Sequence, residues 1–315
     1  MLDRLGPAGL ADAISRLEEA GVAANRWSSP DLLEQLRRAA EHPPKFVVCG
    51  AIDLDPALPL QRTLAAEQAM DVAAGAAALG KLLGTARVIL AVPEDMTAAG
   101  VRALRDAAQT VSVRLFPLLE QYPLAEAGLL VRRTTGRRVP PGKLPTDAGV
   151  LVLDAPAALG VSRSLVHGEP MRRVPVGIYD ETHSRAHLLR VAVGTRLGDV
   201  LSAVEAPAES TELWAGHVLR HVRIDREALL GNGELTISLS APRRAEAAAA
   251  CLRCGWCVEA CPSHVHPAGL LDAAQQNDPQ IAEQYGLRSC IDCGICSYVC
   301  PSRLPLLEAI RGMKK

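Results

Sequence analysis

The sequence predicts a multidomain protein of α/β and α+β class. A Rossmann-like parallel α/β domain is followed by a β-grasp-like module and an α-helical, cysteine-built C-terminal domain. Three observations predict it. Short apolar runs alternate with helical stretches over residues 45–166, the texture turns β-rich from about residue 170, and eight of nine cysteines lie within residues 251–300. Strands that alternate with helices imply a mainly parallel sheet covered on both faces.

Residues 1–43 read as two helices, the first carried by Leu10, Ile14, Leu17 and Val22. The second starts at Ser29-Pro30-Asp31, with serine as cap and proline at the first position. His42-Pro43-Pro44 then breaks the chain. Within residues 44–168, Lys45–Cys49, Arg87–Val92, Val111–Phe116 and Gly149–Leu153 read as strands. Gln61–Leu83, Thr97–Ala108 and Pro156–Val166 read as helices, and a proline-rich loop precedes Gly149. Within residues 169–243, Val174–Tyr179, Ala186–Val193, His217–Ile224 and Glu234–Leu239 are β-rich, with one helix near Leu197–Val204. Residues 244–315 read as helical around the cysteines, with Pro267–Gln276 and Pro279–Tyr285 separated by a break at Asn277-Asp278-Pro279.

The cysteines fall into two copies of one spacing: Cys251-x2-Cys254-x2-Cys257-x3-Cys261-Pro262 and Cys290-x2-Cys293-x2-Cys296-x3-Cys300-Pro301. A Cys-x2-Cys-x2-Cys turn aims three thiolates at one iron–sulfur cube, and in two-cluster ferredoxins the proline-flanked fourth ligates the other cluster. The spacing therefore predicts two [4Fe–4S] clusters. Cys251, Cys254, Cys257 and Cys300 hold one; Cys290, Cys293, Cys296 and Cys261 hold the other. Structural zinc and disulfides are the competing readings, but zinc needs only four ligands and disulfides need an oxidising compartment. Shifting the chain by 39 residues superposes all four cysteines, Gly255 on Gly294, and Cys-Pro-Ser on Cys-Pro-Ser. The repeat implies pseudo-twofold symmetry in which neither half completes a site alone.

Composition narrows the partners. A net charge of −1 gives no basic footprint, so nucleic acid is not expected. No window reaches the uninterrupted apolar length of a membrane span. Met1-Leu2-Asp3-Arg4 lacks the charged-then-apolar order of a signal peptide, so a cytoplasmic protein is expected.

The run from Cys290 to Ser302, followed by Leu304-Pro305-Leu306, resembles the second cluster motif of the RnfC-type electron-transport subunits. That family is related to the flavin-bearing subunit of complex I and to cobalamin reductase. Arg138–Pro145 with Gly149-Val150 resembles its proline-rich crossing into a strand, and residues 172–204, including Gly194-Thr195, its soluble-ligand-binding β-grasp module. The resemblance implies electron transfer between a nicotinamide or flavin donor and a membrane or soluble acceptor. Protein redox partners follow from it, with any membrane association made through them on its cytoplasmic face.

The departures bear on FMN. The family's glycine-rich flavin loop, GxGGAGFPT, has its nearest counterpart in Leu5–Asp12, within the N-terminal segment. Pro7 lacks an N–H, and two glycines are replaced. The family's Glu-Cys-Glu-Pro appears as Asp53-Leu54-Asp55-Pro56. The expectation is an electron-transfer subunit with a degenerate flavin and NADH loop. A flavin-containing NADH-dependent reductase and a non-redox assembly protein with structural clusters are the alternatives.

Other residues read as structural. Cys49 ends an apolar strand as a small buried hydrophobe. His264 and His266 read as a solvated turn, Arg253, Arg288 and Arg303 as helix-surface charges, and Trp214 and Trp256 as packing. Gly80 and Gly84 are too isolated for a nucleotide loop, and no catalytic residues emerge from spacing.

Overall fold

The computed structural model describes residues 9–22, 25–55, 57–85, 87–206, 212–233, 236–242 and 247–314. It divides into two compact units. Met1–Val139, Lys143–Gly216 and Arg223–Ala241 form the first; Pro140–Gly142, His217–Val222 and Pro242–Lys315 form the second.

The first unit opens with α1 (Leu10–Glu19) and α2 (Leu32–Glu41). The cap of α2 is Asp31, whose carboxylate accepts from the Glu34 N–H at 2.8 Å, not the expected Ser29. Ser29 instead exchanges backbone hydrogen bonds with Arg26. Four strands, β1 (Phe46–Gly50), β2 (Val88–Pro93), β3 (Arg114–Leu118) and β4 (Val150–Asp154), make a parallel sheet in the order β3-β2-β1-β4. Successive residues of the inner strands face opposite layers. Val47, Cys49, Leu90 and Leu151 pack with α1, α2, α4 (Ala69–Leu82), α5 (Ala98–Thr110) and α7 (Ala155–Val161). Val48, Ile89, Ala91 and Val152 pack with α6 (Ala127–Thr135). Burial on both faces explains why β1, β2 and β4 read as unbroken apolar runs. Pro117 has no N–H to pair and is tolerated because β3 is an edge.

Tertiary contacts redraw some expected elements. The single helix Gln61–Leu83 is two, α3 (Leu60–Glu67) and α4, because Gln68 leaves helical geometry at φ −117° and ψ 38°. The break lets α3 meet the strand Arg173–Asp180 while α4 lies against α7, where a Cβ on Gly75 would strike the Ala158 carbonyl. The proline-rich stretch contains α6, capped by the Glu126 carboxylate and ended by Gly136 at φ 73°. The helix expected over Pro156–Val166 is α7 followed by a π-helical turn, Ser162–His167.

The second sheet is mixed, and its strands are β5 (Arg173–Asp180), β6 (Arg185–Ala192), β7 (Glu212–His217), β8 (Arg220–Ile224) and β9 (Thr236–Ser240). They lie in the order β6-β5-β9-β7-β8. Val218 and Leu219 form a turn that splits the single strand expected over His217–Ile224. Helix α8 (Leu197–Ala203) packs Leu197 and Leu201 onto Val176, Ile178 and Leu239, giving the β-grasp-like core.

In the second unit, α9 (Trp256–Glu259) and α12 (Ile295–Tyr298) are single turns inside the cysteine runs. Helices α10 (Pro267–Gln276), α11 (Pro279–Gln284) and α13 (Leu306–Met313) build a core around Leu270, Ala282, Leu306 and Ile310. The expected break is made by Asn277, left-handed at φ 53°, and by Asp278, which caps α11. Residues 247–250, which lead into Cys251, carry no helix.

Candidate metal centre

The two cysteine runs repeat in backbone conformation as well as in spacing. Arg253 and Asp292 have φ of 54° and 57°, Gly255 and Gly294 of 83° and 81°, His264 and Arg303 of 55° and 54°. Each pair is 39 residues apart. Left-handed geometry at non-glycine residues costs roughly 1 kcal/mol apiece, so the repetition marks a constrained loop. The hydrogen bonds repeat too. Val258, Glu259, Ala260, Cys261 and His264 donate to Gly255, Gly255, Trp256, Val258 and Cys261; Ser297, Tyr298, Val299, Cys300 and Arg303 make the corresponding five bonds.

These loops bring the cysteines together around two cavities. One, of about 370 Å³, is lined by Cys251, Cys254, Cys257 and Cys300; the other, of about 10 Å³, is lined by Cys290, Cys293, Cys296 and Cys261. Among the described residues, no three His, Cys, Asp or Glu side chains are placed to hold a single metal ion. Cys251 and Cys254 are exposed, whereas Cys261, Cys293 and Cys296 are buried. Burial pushes the Cys257 thiol up, with neighbouring Cys254 and Cys300 adding to it. Burial likewise pushes Cys296 up to about 12, with Cys290 and Cys293 adding to it. It raises Cys290 to about 11, against the pull of Lys314. Backbone N–H groups of Arg253, Asp292 and Leu304 donate to the sulfurs of Cys251, Cys290 and Cys300 at 3.4–3.5 Å.

The remaining candidates are placed as follows. Cys49 is wholly buried at the end of β1, its thiol raised by burial. His264 is exposed. His266 has a role that sequence reading missed: its Nδ1 accepts from the Gly269 N–H at 2.8 Å, capping α10, and its ring packs on Tyr285. The cue was a polar residue directly before Pro267. Arg288 pairs with Glu283 at 2.9 Å, Trp214 donates to Ser240 at 3.1 Å, and Trp256 is exposed. Gly80 packs against Val88, and Gly84 takes φ 66° where α4 ends.

A second polar constellation lies at the carboxyl ends of the parallel strands, where open α/β sheets bind ligands. Asp154, ending β4, is held by Arg26 in a two-pronged ion pair at 2.5 and 2.6 Å and by Ser28 and the Ala157 N–H. Arg62 bonds Asp53, Asp95 and Glu120. Asp53 and Asp55 are buried. Arg26 and Arg62 are both already ion-paired, and Asp53, Asp55 and Asp154 are buried carboxylates, so these described residues do not suit a flavin phosphate. Residues 5–8 of the flavin-loop counterpart lie outside the described residues; Gly9 caps α1 and Leu10–Asp12 begin it.

Comparison with known proteins defines the class first. The family model described as a Nuo51 FMN-binding domain matches residues 32–163, and that of a 4Fe-4S dicluster domain matches residues 245–301. The class is thus a parallel α/β domain similar to the Nuo51 type, followed along the chain by a region similar to [4Fe–4S] dicluster domains. The chain is similar, as its motifs suggested, to the RnfC-type subunits. The RnfC protein of the ion-translocating oxidoreductase complex of Pasteurella multocida is 29% identical over 312 residues, covering 96% of this chain and 36% of that protein. Its counterpart from Rhodobacter capsulatus is 27% identical, covering 99% and 62%. The chain therefore spans between about a third and two thirds of these relatives' length. The fold is shared with a chain of an NAD+-reducing [NiFe]-hydrogenase, at TM-score 0.59 and 15% identity, covering 77% of this chain and 50% of that one.

Proposed function

We propose that this RnfC-like chain relays single electrons through two [4Fe–4S] clusters inside a larger redox complex. Cys251, Cys254, Cys257 and Cys300 would hold the first cluster, and Cys290, Cys293, Cys296 and Cys261 the second. The observation that carries this reading is that each cavity is lined by three cysteines of one run and the fourth of the other. The clusters, when bound, supply one-electron redox chemistry. The chain's residues do the rest. Thiols that burial keeps protonated must release their protons to bind iron, so cluster loading opposes proton binding at those positions. The N–H groups of Arg253, Asp292 and Leu304 neutralise charge on ligand sulfur and so favour the reduced state.

Donor and acceptor would be protein subunits, and contact with a membrane would be made through them from the cytoplasmic side. No helix among the described residues is long and apolar enough to cross a membrane. The working domain limits are residues 1–43, 44–168, 169–243 and 244–315. The match to an FMN-binding domain favours a second reading, a flavin-containing reductase. Anaerobic purification with iron and flavin analysis separates the two. About eight irons per chain and no released flavin support the relay; stoichiometric FMN supports the reductase; zinc or negligible iron removes both.

A further inference from the structure

A cavity of about 520 Å³ in the first unit has no cysteine in its lining and is floored by Leu64 of α3, Leu159 of α7, and Met171. Its rim carries four arginines, Arg163, Arg172, Arg173 and Arg190, against one carboxylate, Glu169. Arg163 is committed, bonding Asp71 at 3.1 Å and Glu169 at 3.2 Å. The other three are exposed and take no ion-pair partner among the described residues.

Their placement is built by the fold. In the antiparallel pair β5–β6, Arg173 stands opposite Ala192, and Arg190 opposite Pro175. Arg173 and Arg190 therefore share one face as diagonal neighbours, roughly 7–8 Å apart. Arg172 is pinned beside them, its N–H bonded to the Pro170 carbonyl and its own carbonyl to the Val193 N–H. Like charges gathered this way repel one another, and nothing in a chain of net charge −1 requires them here. Guanidinium forks match phosphate and carboxylate oxygens. The floor is aliphatic, without an aromatic ring on which a nucleobase could stack.

We propose that this cavity binds an amphiphilic phosphate: the head on Arg172, Arg173 and Arg190, an alkyl or isoprenoid body on Leu64, Leu159 and Met171. Its volume falls in the range of small-molecule sites. The same chemistry is offered by a soluble alkyl phosphate and by an anionic phospholipid.

The test uses the full chain, prepared anaerobically, titrated calorimetrically with decyl phosphate below its micelle concentration, and separately with inorganic phosphate. Flotation with phosphatidylglycerol or phosphatidylcholine vesicles forms the second arm. Decyl phosphate is expected to bind once per chain and more tightly than inorganic phosphate. Arg172→Glu and Arg190→Glu are each expected to weaken it about tenfold or more. Both are surface changes, and an unaltered visible spectrum and Tm would verify an intact fold. Arginine-dependent flotation on phosphatidylglycerol alone, together with decyl phosphate binding, assigns the site to lipid; binding without flotation assigns it to a soluble ligand. The proposal is overturned if decyl phosphate does not saturate, if inorganic phosphate binds equally well, if the arginine variants bind normally, or if vesicles bind while decyl phosphate does not.

Discussion

The carbonyl oxygen of Leu219 occupies the space that a Cβ on Gly294 would need, whereas the equivalent glycine of the first cysteine run, Gly255, faces open space. Two loops alike in sequence, φ angles and hydrogen bonds are thus covered differently, and their tolerance of a methyl group should differ. Gly255→Ala incurs only left-handed strain, roughly 1–2 kcal/mol. Gly294→Ala incurs that strain and a backbone collision, adding about 1–3 kcal/mol of overpacking. Thermal unfolding of the anaerobic protein should place Gly294→Ala clearly below Gly255→Ala; equal losses would contradict the asymmetry.

The crossed ligand set makes a signature prediction. Cys300→Ser should alter the electron paramagnetic resonance of the cluster assigned to Cys251, Cys254 and Cys257, although Cys300 lies in the other run. Cys261→Ser should alter the partner cluster. Spectra of each serine variant beside Cys254→Ser and Cys293→Ser check it: Cys300→Ser must resemble Cys254→Ser. If each fourth cysteine groups with its own run, the assignment fails.

What could be read before folding, and what could not, follows from where the information resides. The cysteine runs carry their chemistry in local spacing, and β1, β2 and β4 announce themselves because burial on both faces leaves no polar residue in Val47–Gly50, Val88–Pro93 or Val150–Leu153. Helix α6 was hidden by prolines on either side, though Glu126 ahead of Ala-Gly-Leu-Leu was a cap in plain view. The break at Gln68 has no local cause; both helices meet α5 and α7, but α3 also reaches β5 whereas α4 lies on β1 and β2. Arg26 and Asp154 lie 128 residues apart, and Arg190 meets Arg173 only through strand register. Sites assembled by topology leave no trace in spacing.

Asp53 should make stability fall with pH across a defined window. Burial raises its carboxyl to about 6, against the lowering effect of N–H groups of Gln61 and Arg62 and the Arg62 charge. An acid whose folded value lies above its unfolded value, about 3.9, binds its proton more tightly when folded. Its contribution is fully present below about pH 4 and lost as pH rises through about 6. Two units correspond to roughly 2–3 kcal/mol. Urea unfolding of wild type and Asp53→Asn at pH 4.5 and 7 checks the sign: the difference between them must change across this interval.

Arg26 and Asp154 form the opposite case. Burial alone would raise the Asp154 carboxyl, but the Arg26 charge and hydrogen bonds, with the Ala157 N–H and Ser28 hydroxyl, outweigh it and hold it below the usual range. A lowered folded value stabilises above the unfolded value of about 3.9 and loses that contribution as pH falls through the folded one. Wild type should therefore gain nothing from mild acid at this position. Arg26→Ala removes the cation and leaves a fully buried carboxylate, which costs about 3–5 kcal/mol at pH 7. The desolvated acid then prefers its proton, so the variant's stability should recover as pH falls toward 5, where wild type shows no such recovery from this pair. Arg26→Met with Asp154→Leu removes both charges and should lie well above Arg26→Ala, because paired burial is repaid poorly by attraction alone. Urea unfolding of the three proteins at pH 5 and 7 decides the matter. A pH-independent deficit in Arg26→Ala would mean that the arginine acts through packing, and that Asp154 is held by its other hydrogen bonds.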